Sequence, residues 1–225
     1  THLNPQYSPT PDEVQNFVAW INARQQAVDE AKRDTPHKNV QVYCYLEVNR
    51  VVDAMQGKTR MTNAVLPKTN VDFVSYSSYD SLGGDIGANL TKALDYIESQ
   101  MPPKPGLTGK RVWIGEYGFP AAANSPQQQD DRTRQVMRAG LAWGCPFVLY
   151  WELYNNEVAP DGKQRGFWLI DDHNVKQPTY FTHQRFYAQA RRYVTAFQKD
   201  HHRLPTRIEF GQAALPWLAT LKAHL

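Results

Sequence analysis

Four apolar runs along the chain each lead to side chains that can do chemistry. Val40 to Val48 carries Glu47 and is followed by Asn49, and Val71 to Tyr79 brings Tyr76 and Tyr79. Arg111 to Gly115 delivers Glu116 and Tyr117, and Pro146 to Trp151 ends on Trp151 and Glu152. An ionised Glu can attack an electron-poor carbon or take a proton, and a Tyr hydroxyl can hold such a carboxylate in place. A flat Trp ring offers an apolar face to the C–H side of a sugar, and Asn49, Glu47, Glu152 and Asn155 are suited to binding hydroxyl groups. Plainer readings stand beside these: Trp151 as core, Asn49 as a helix cap, Glu152 as a surface ion pair, and a strand-end Glu as a solvated charge.

The elements that must position these side chains can be read from spacing. Thr10, Pro11 and Glu13 supply a capping hydroxyl, a first-turn proline and the reciprocal carboxylate of a capping box, so a helix starts there. Val14, Phe17, Val18, Ile21 and Val28 continue it at roughly helical spacing to the polar stretch Lys32 to Lys38. Between the first two strands a polar connection has room for a short helix. Gly83 and Gly84 end the second strand, and Ile86, Leu90, Ala93, Leu94 and Ile97 mark an amphipathic helix that stops at Pro102, Pro103 and Pro105. Gln127 to Trp143 reads as helix before the fourth strand. Tyr180, Tyr187, Ala190, Val194 and Phe197 mark another, and Ala213 to Leu225 is weakly helical. Strands alternating with helices predict βαβ units on a parallel sheet, either a barrel or a doubly wound fold. No phosphate-cradling glycine motif follows any strand, and chemistry gathered at the C-terminal strand ends favours the barrel.

The residues Val-Trp-Ile-Gly-Glu-Tyr-Gly-Phe-Pro, Val112 to Pro120, resemble the seventh strand of clan A (β/α)8-barrel glycoside hydrolases, where an apolar strand presents a Glu nucleophile. Phe147 to Glu152 resembles the eighth strand of that clan, and Gly166 to Tyr180, with Trp168, Asp171, Lys176 and Pro178, resembles the loop and helix start that follow it. The resemblance spans roughly Val40 to Phe197. It implies a TIM barrel, with this chain supplying about the second half over residues 1–200 and a partly helical tail over 201–225. It also implies Glu116 as nucleophile of a retaining reaction, Tyr79 or Tyr76 as the hydroxyl that orients it, and Trp151 as the floor of the sugar subsite nearest the cleaved bond. One departure stands out. The clan's acid/base Glu follows an Asn on strand 4, whereas the one Asn-Glu pair here, Asn156-Glu157, lies past the eighth strand. Only one strand separates Glu47 from Glu116, which puts Glu47 on strand 5. The acid/base and the first four strands are therefore expected upstream of Thr1 or on a second chain.

Composition narrows the classes. The 225 residues are 41% hydrophobic and 12% aromatic, enough for a packed core. The net charge of +3 is scattered, with no basic run, which gives nucleic acid no support. No stretch approaches the roughly 20 apolar residues of a membrane span. A start at Thr rather than Met suits a mature or truncated chain, so the missing signal peptide leaves a secreted or periplasmic location open. Cys44 and Cys145, in or beside apolar runs, read as inert core thiols. The expected partners are a carbohydrate substrate and the remaining barrel half, with no cofactor and no metal. Two rivals remain. Glu47, Glu116 and Glu152 could be oxygen ligands of a metal-dependent barrel isomerase or lyase, and a non-catalytic carbohydrate-binding barrel would keep the aromatic cleft without the acid.

Overall fold

The structure, a computed structural model, describes residues 6–37 and 39–220. Helix α1, Pro11–Asp34, opens on the expected capping box: Thr10 Oγ1 accepts from the Glu13 amide at 3.3 Å and the Glu13 carboxylate accepts from the Thr10 amide at 2.7 Å. Strand β1, Tyr45–Val48, leads through helix α2, Val51–Met55, a π-helical turn and a 3-10 turn to β2, Phe73–Ser77. Helix α3, Ile86–Gln100, is followed by β3, Val112–Tyr117, α4, Pro126–Trp143, and β4, Val148–Tyr150. Three helices complete the described residues: α5, Pro178–His201, α6, Arg207–Ala214, and α7, Trp217–Thr220. The strands form one parallel sheet in the order β1-β2-β3-β4, so the expected α/β class with a parallel sheet holds.

The chain divides into two compact units, residues 1–85 with 89–115, and 86–88 with 116–225. In the first unit, β1 pairs with β2 so that Leu46 faces Val74 and Val48 faces Tyr76, all four buried. Leu90, Leu94 and Ile97 of α3 are fully buried as well. The opposite face carries Tyr45 of β1 and Phe73 of β2 beside Trp113 of β3, whose ring centroid lies 5.1 Å from that of Tyr45 and 5.8 Å from that of Phe73. A polar network ties α1 to the starts of the strands. The buried Gln25 amide donates to Asp72 Oδ2 at 3.1 Å and accepts from the Asp72 amide at 3.0 Å, while Asp72 accepts from the Cys44 amide at 2.9 Å. Lys104 lies 3.5 Å from Asp72 and 3.1 Å from Asp29, supplying the charge that a buried carboxylate needs.

In the second unit, α4 begins on a capping box of Ser125 and Gln128 and ends on Gly144 in the left-handed region at φ 89°. Its buried face meets α5 through Asp130, which binds Arg134 at 2.8 Å and accepts from the Thr182 hydroxyl. Beyond residue 200, where a partly helical tail is expected, the described residues carry α6 and α7. Trp217 of α7 packs its ring against Phe186 and Tyr193 of α5 and Phe210 of α6. Residues 221–225 of the expected final helix lie outside the described residues.

Several expected boundaries shift. The strand expected over Val40 to Val48 is confined to Tyr45–Val48, and Pro146 to Trp151 contracts to Val148–Tyr150. Phe17 of α1, expected on its core stripe, is 44% exposed, because Val14, Ile21 and Gln25 form the buried stripe instead. Cys44 is buried, but Cys145 is only partly so.

Candidate functional site

Each unit carries its own share of the candidate residues. In the first, Glu47 lies exposed on β1 with Oε1 accepting from the Ser77 hydroxyl of β2 at 2.8 Å, which holds the carboxylate across the strand pair. Asn49 follows β1 half-buried, next to Arg50 in the left-handed conformation that starts α2. Tyr76 and Tyr79 separate in role. Tyr76 pairs with Val48 on the buried face, and its hydroxyl lies 2.6 Å from Asp80 Oδ1 and 2.6 Å from Ser81 Oγ. Burial, reinforced by the Asp80 charge, pushes this phenol well above its ordinary pKa. Tyr79 lies beyond the end of β2 in a 3-10 turn and is 39% exposed.

In the second unit, Glu116 is half-buried within β3 rather than after its end, and Gly115 before it explains part of how that strand fits. A Cβ at position 115 would lie 1.8 Å from Ser75 Oγ, so any larger residue there requires the Ser75 hydroxyl to turn away. Tyr117 is fully buried, with its ring edge-on to Tyr150 at 5.3 Å and its hydroxyl 3.2 Å from His183 Nε2. His183 Nδ1 lies 2.8 Å from the Thr179 carbonyl oxygen, which can only accept. Nδ1 therefore carries the proton and Nε2 accepts from Tyr117. Burial pushes the His183 pKa below its ordinary value, which favours the neutral imidazole.

Trp151 directly follows β4. Its amide donates to the Tyr117 carbonyl at 2.7 Å, its peptide bond to Glu152 is cis, and its indole Nε1–H donates to Glu157 Oε1 at 3.1 Å. Gly118 makes this approach feasible, since a Cβ there would lie 2.3 Å from the Trp151 carbonyl oxygen and 2.9 Å from the Phe167 ring. Glu152 is half-buried and turns its carboxylate back to accept from the Asn156 amide at 2.9 Å. Asn155 serves the loop: its amide donates to the Glu157 carbonyl at 2.7 Å and to Gln164, and its oxygen accepts from the Gly166 and Phe167 amides. Farther along, Asp171 accepts from the His173 and Val175 amides, shaping the turn before α5, which starts at Pro178.

Sequence reasoning missed Glu157, Arg165, Ser77 and Gly118. A charged residue opposite a Trp across a loop leaves no periodic signal, and Ser75 and Ser77 of β2 are buried like Val74 and Tyr76 between them. Among the described residues no group of three His, Cys, Asp or Glu side chains is placed to hold a metal ion, and no helix is long and apolar enough to cross a membrane. Comparison with protein-family models, with curated proteins and with solved structures finds no match.

Proposed function

We propose that this chain supplies the nucleophile-bearing half of a (β/α)8-barrel glycoside hydrolase that acts on an oligo- or polysaccharide with retention of configuration. The observation that carries the reading is the order β1-β2-β3-β4 in a parallel sheet, with Glu47, Glu116 and Trp151 each at or just past the C-terminal part of its strand. That is the end at which barrel enzymes collect their catalytic groups. Glu116 attacks the anomeric carbon as a carboxylate, and the acid/base carboxyl, about 5 to 5.5 Å away in such enzymes, comes from outside these four strands. Tyr79 or Tyr76 supplies the hydroxyl that orients the nucleophile; Tyr79 lies part-exposed just beyond β2, whereas Tyr76 is buried with its hydroxyl on Asp80 and Ser81. Trp151 floors the sugar subsite. Glu47, held by Ser77, and Asn49 bind sugar hydroxyls, and the Glu152 and Asn155 loop shapes the rim.

Activity that vanishes with a chelator would select the alternative in which Glu47, Glu116 and Glu152 are oxygen ligands of a divalent metal. The test is turnover by Glu116→Gln in the complete protein, on a glycoside that the parent cleaves. Activity is expected to fall on the order of 10³-fold or more with little change in folding, as when a group acting in the transition state is lost. Glu116→Gly with azide is expected to yield a glycosyl azide of inverted configuration. Near-normal turnover by the Gln variant would make Glu116 structural, and oligosaccharide binding by a parent that never turns over would select the non-catalytic carbohydrate-binding reading.

A further inference from the structure

Trp151 has its main chain pinned and its side chain governed by one polar contact. The amide bond to Tyr117 and the close fit against Gly118 fix where the residue starts, but they leave the two side-chain torsions to be set by what the indole touches. An indole has a single N–H donor, and in a half-buried ring that donor ordinarily finds an acceptor. Here the acceptor is Glu157 Oε1 at 3.1 Å. Glu157 is itself held from several sides. Its other carboxylate oxygen pairs with Arg165 at 2.7 Å, and its carbonyl accepts from the Asn155 amide at 2.7 Å and from the Arg165 main-chain N–H at 3.0 Å. The Arg165 guanidinium lies over the Phe167 ring at 5.2 Å. The acceptor thus stands in place before any ligand arrives, and an ionised acceptor makes a stronger hydrogen bond than a neutral one.

We infer that Glu157 is the positioning residue for the Trp151 indole, and that through this ring it tunes carbohydrate affinity without touching the sugar. The sugar consequence rests on the glycosidase reading, whereas the indole geometry does not. Stacking of a pyranose on an indole depends on the ring plane, so a ring held in one orientation loses less freedom on binding than one that turns.

The experiment follows the indole N–H resonances of the ¹⁵N-labelled full chain, with Trp151 identified by its disappearance in Trp151→Phe. In Glu157→Ala the Trp151 resonance is expected to move upfield and broaden, and in Glu157→Gln, which keeps an acceptor oxygen, to stay close to the parent. Should the Ala variant not fold, Arg165→Met, which removes the partner holding the carboxylate, is expected to broaden the same resonance. A Trp151 signal unchanged in the variants that fold overturns the inference. The second arm measures binding of cellohexaose, laminarihexaose, mannohexaose and xylohexaose. For any of these that Trp151→Phe weakens, Glu157→Ala is expected to weaken binding about tenfold and Glu157→Gln to restore it to within about threefold. Unchanged affinity in Glu157→Ala overturns the tuning role. If the parent binds none of the four, the carbohydrate reading and the tuning role fall together, while the indole spectra decide the positioning role separately.

Discussion

At position 118 the absence of one methyl group decides where Trp151 sits. The Trp151 carbonyl that a Cβ would strike is main chain and cannot swing aside, and the Phe167 ring closes the other side. Gly118→Ala is therefore expected to destabilise the fold by about 1–3 kcal/mol, read as a lower denaturation midpoint at constant slope in urea. Gly115 differs, because its nearest obstacle is the hydroxyl of Ser75, the far end of a short side chain. Glu116 and Trp151 were legible as candidates because strand-end position is written in the chain itself. The division of labour between Tyr76 and Tyr79 was not, since it depends on which face of β2 is buried, and that is set by the pairing of Tyr76 with Val48. Glu157 was passed over for the same kind of reason: its partners Trp151 and Arg165 meet only once the loop closes through the Val158 to Gln164 bridge.

Elements whose ends are capped by local chemistry were readable, and those whose ends depend on pairing were not. The Thr10 box placed the start of α1 without any tertiary information, because both hydrogen bonds span only three residues. The Val- and Tyr-rich stretch before β1 has strand composition, yet Val40 and Val42 are exposed, and the ladder with β2 starts only at Tyr45. Between α2 and the π-helical turn, Met61–Val65, ion pairs converge on Asp53. Asp53 binds Lys58 at 2.7 Å and the buried Arg60 at 2.8 Å, and these contacts push its pKa down to about 2. A folded pKa below the ordinary value of 3.8 means that this stabilisation is fully present above about pH 4 and is lost as pH falls through about 2. Urea unfolding between those limits is expected to lose on the order of 1–2 kcal/mol through this group. Asp53→Asn is expected to lose a similar amount at neutral pH and to flatten that part of the profile.

On the scale of the whole molecule, the second unit presents an apolar groove of about 740 Å³ between α4, β4 and α5, lined by Leu141, Phe147, Leu149, Phe186, Val194 and Phe210 among others. Phe147 is 56% and Leu149 49% exposed, and in the first unit Trp20 of α1 is 56% exposed. Apolar surface of this extent next to a three-residue strand favours association. Sedimentation velocity of the chain alone is expected to show concentration-dependent species heavier than the 25.8 kDa monomer, and Phe147→Glu with Leu149→Glu is expected to shift the distribution toward monomer. A cooperatively folded monomer at all concentrations would count against both the half-barrel reading and a role for this groove in assembly.

The unequal burial of the two thiols turns that groove into something that can be clocked. Cys44 is shut inside the first unit, where burial raises its pKa and disfavours the nucleophilic thiolate. Cys145 stands in the groove wall, partly accessible. A maleimide should therefore consume about one equivalent of thiol quickly and the second only on unfolding. The rate of that first alkylation is a footprint of whatever fills the groove: it slows when the groove is covered and recovers when the cover dissociates, with no substitution needed to install the probe.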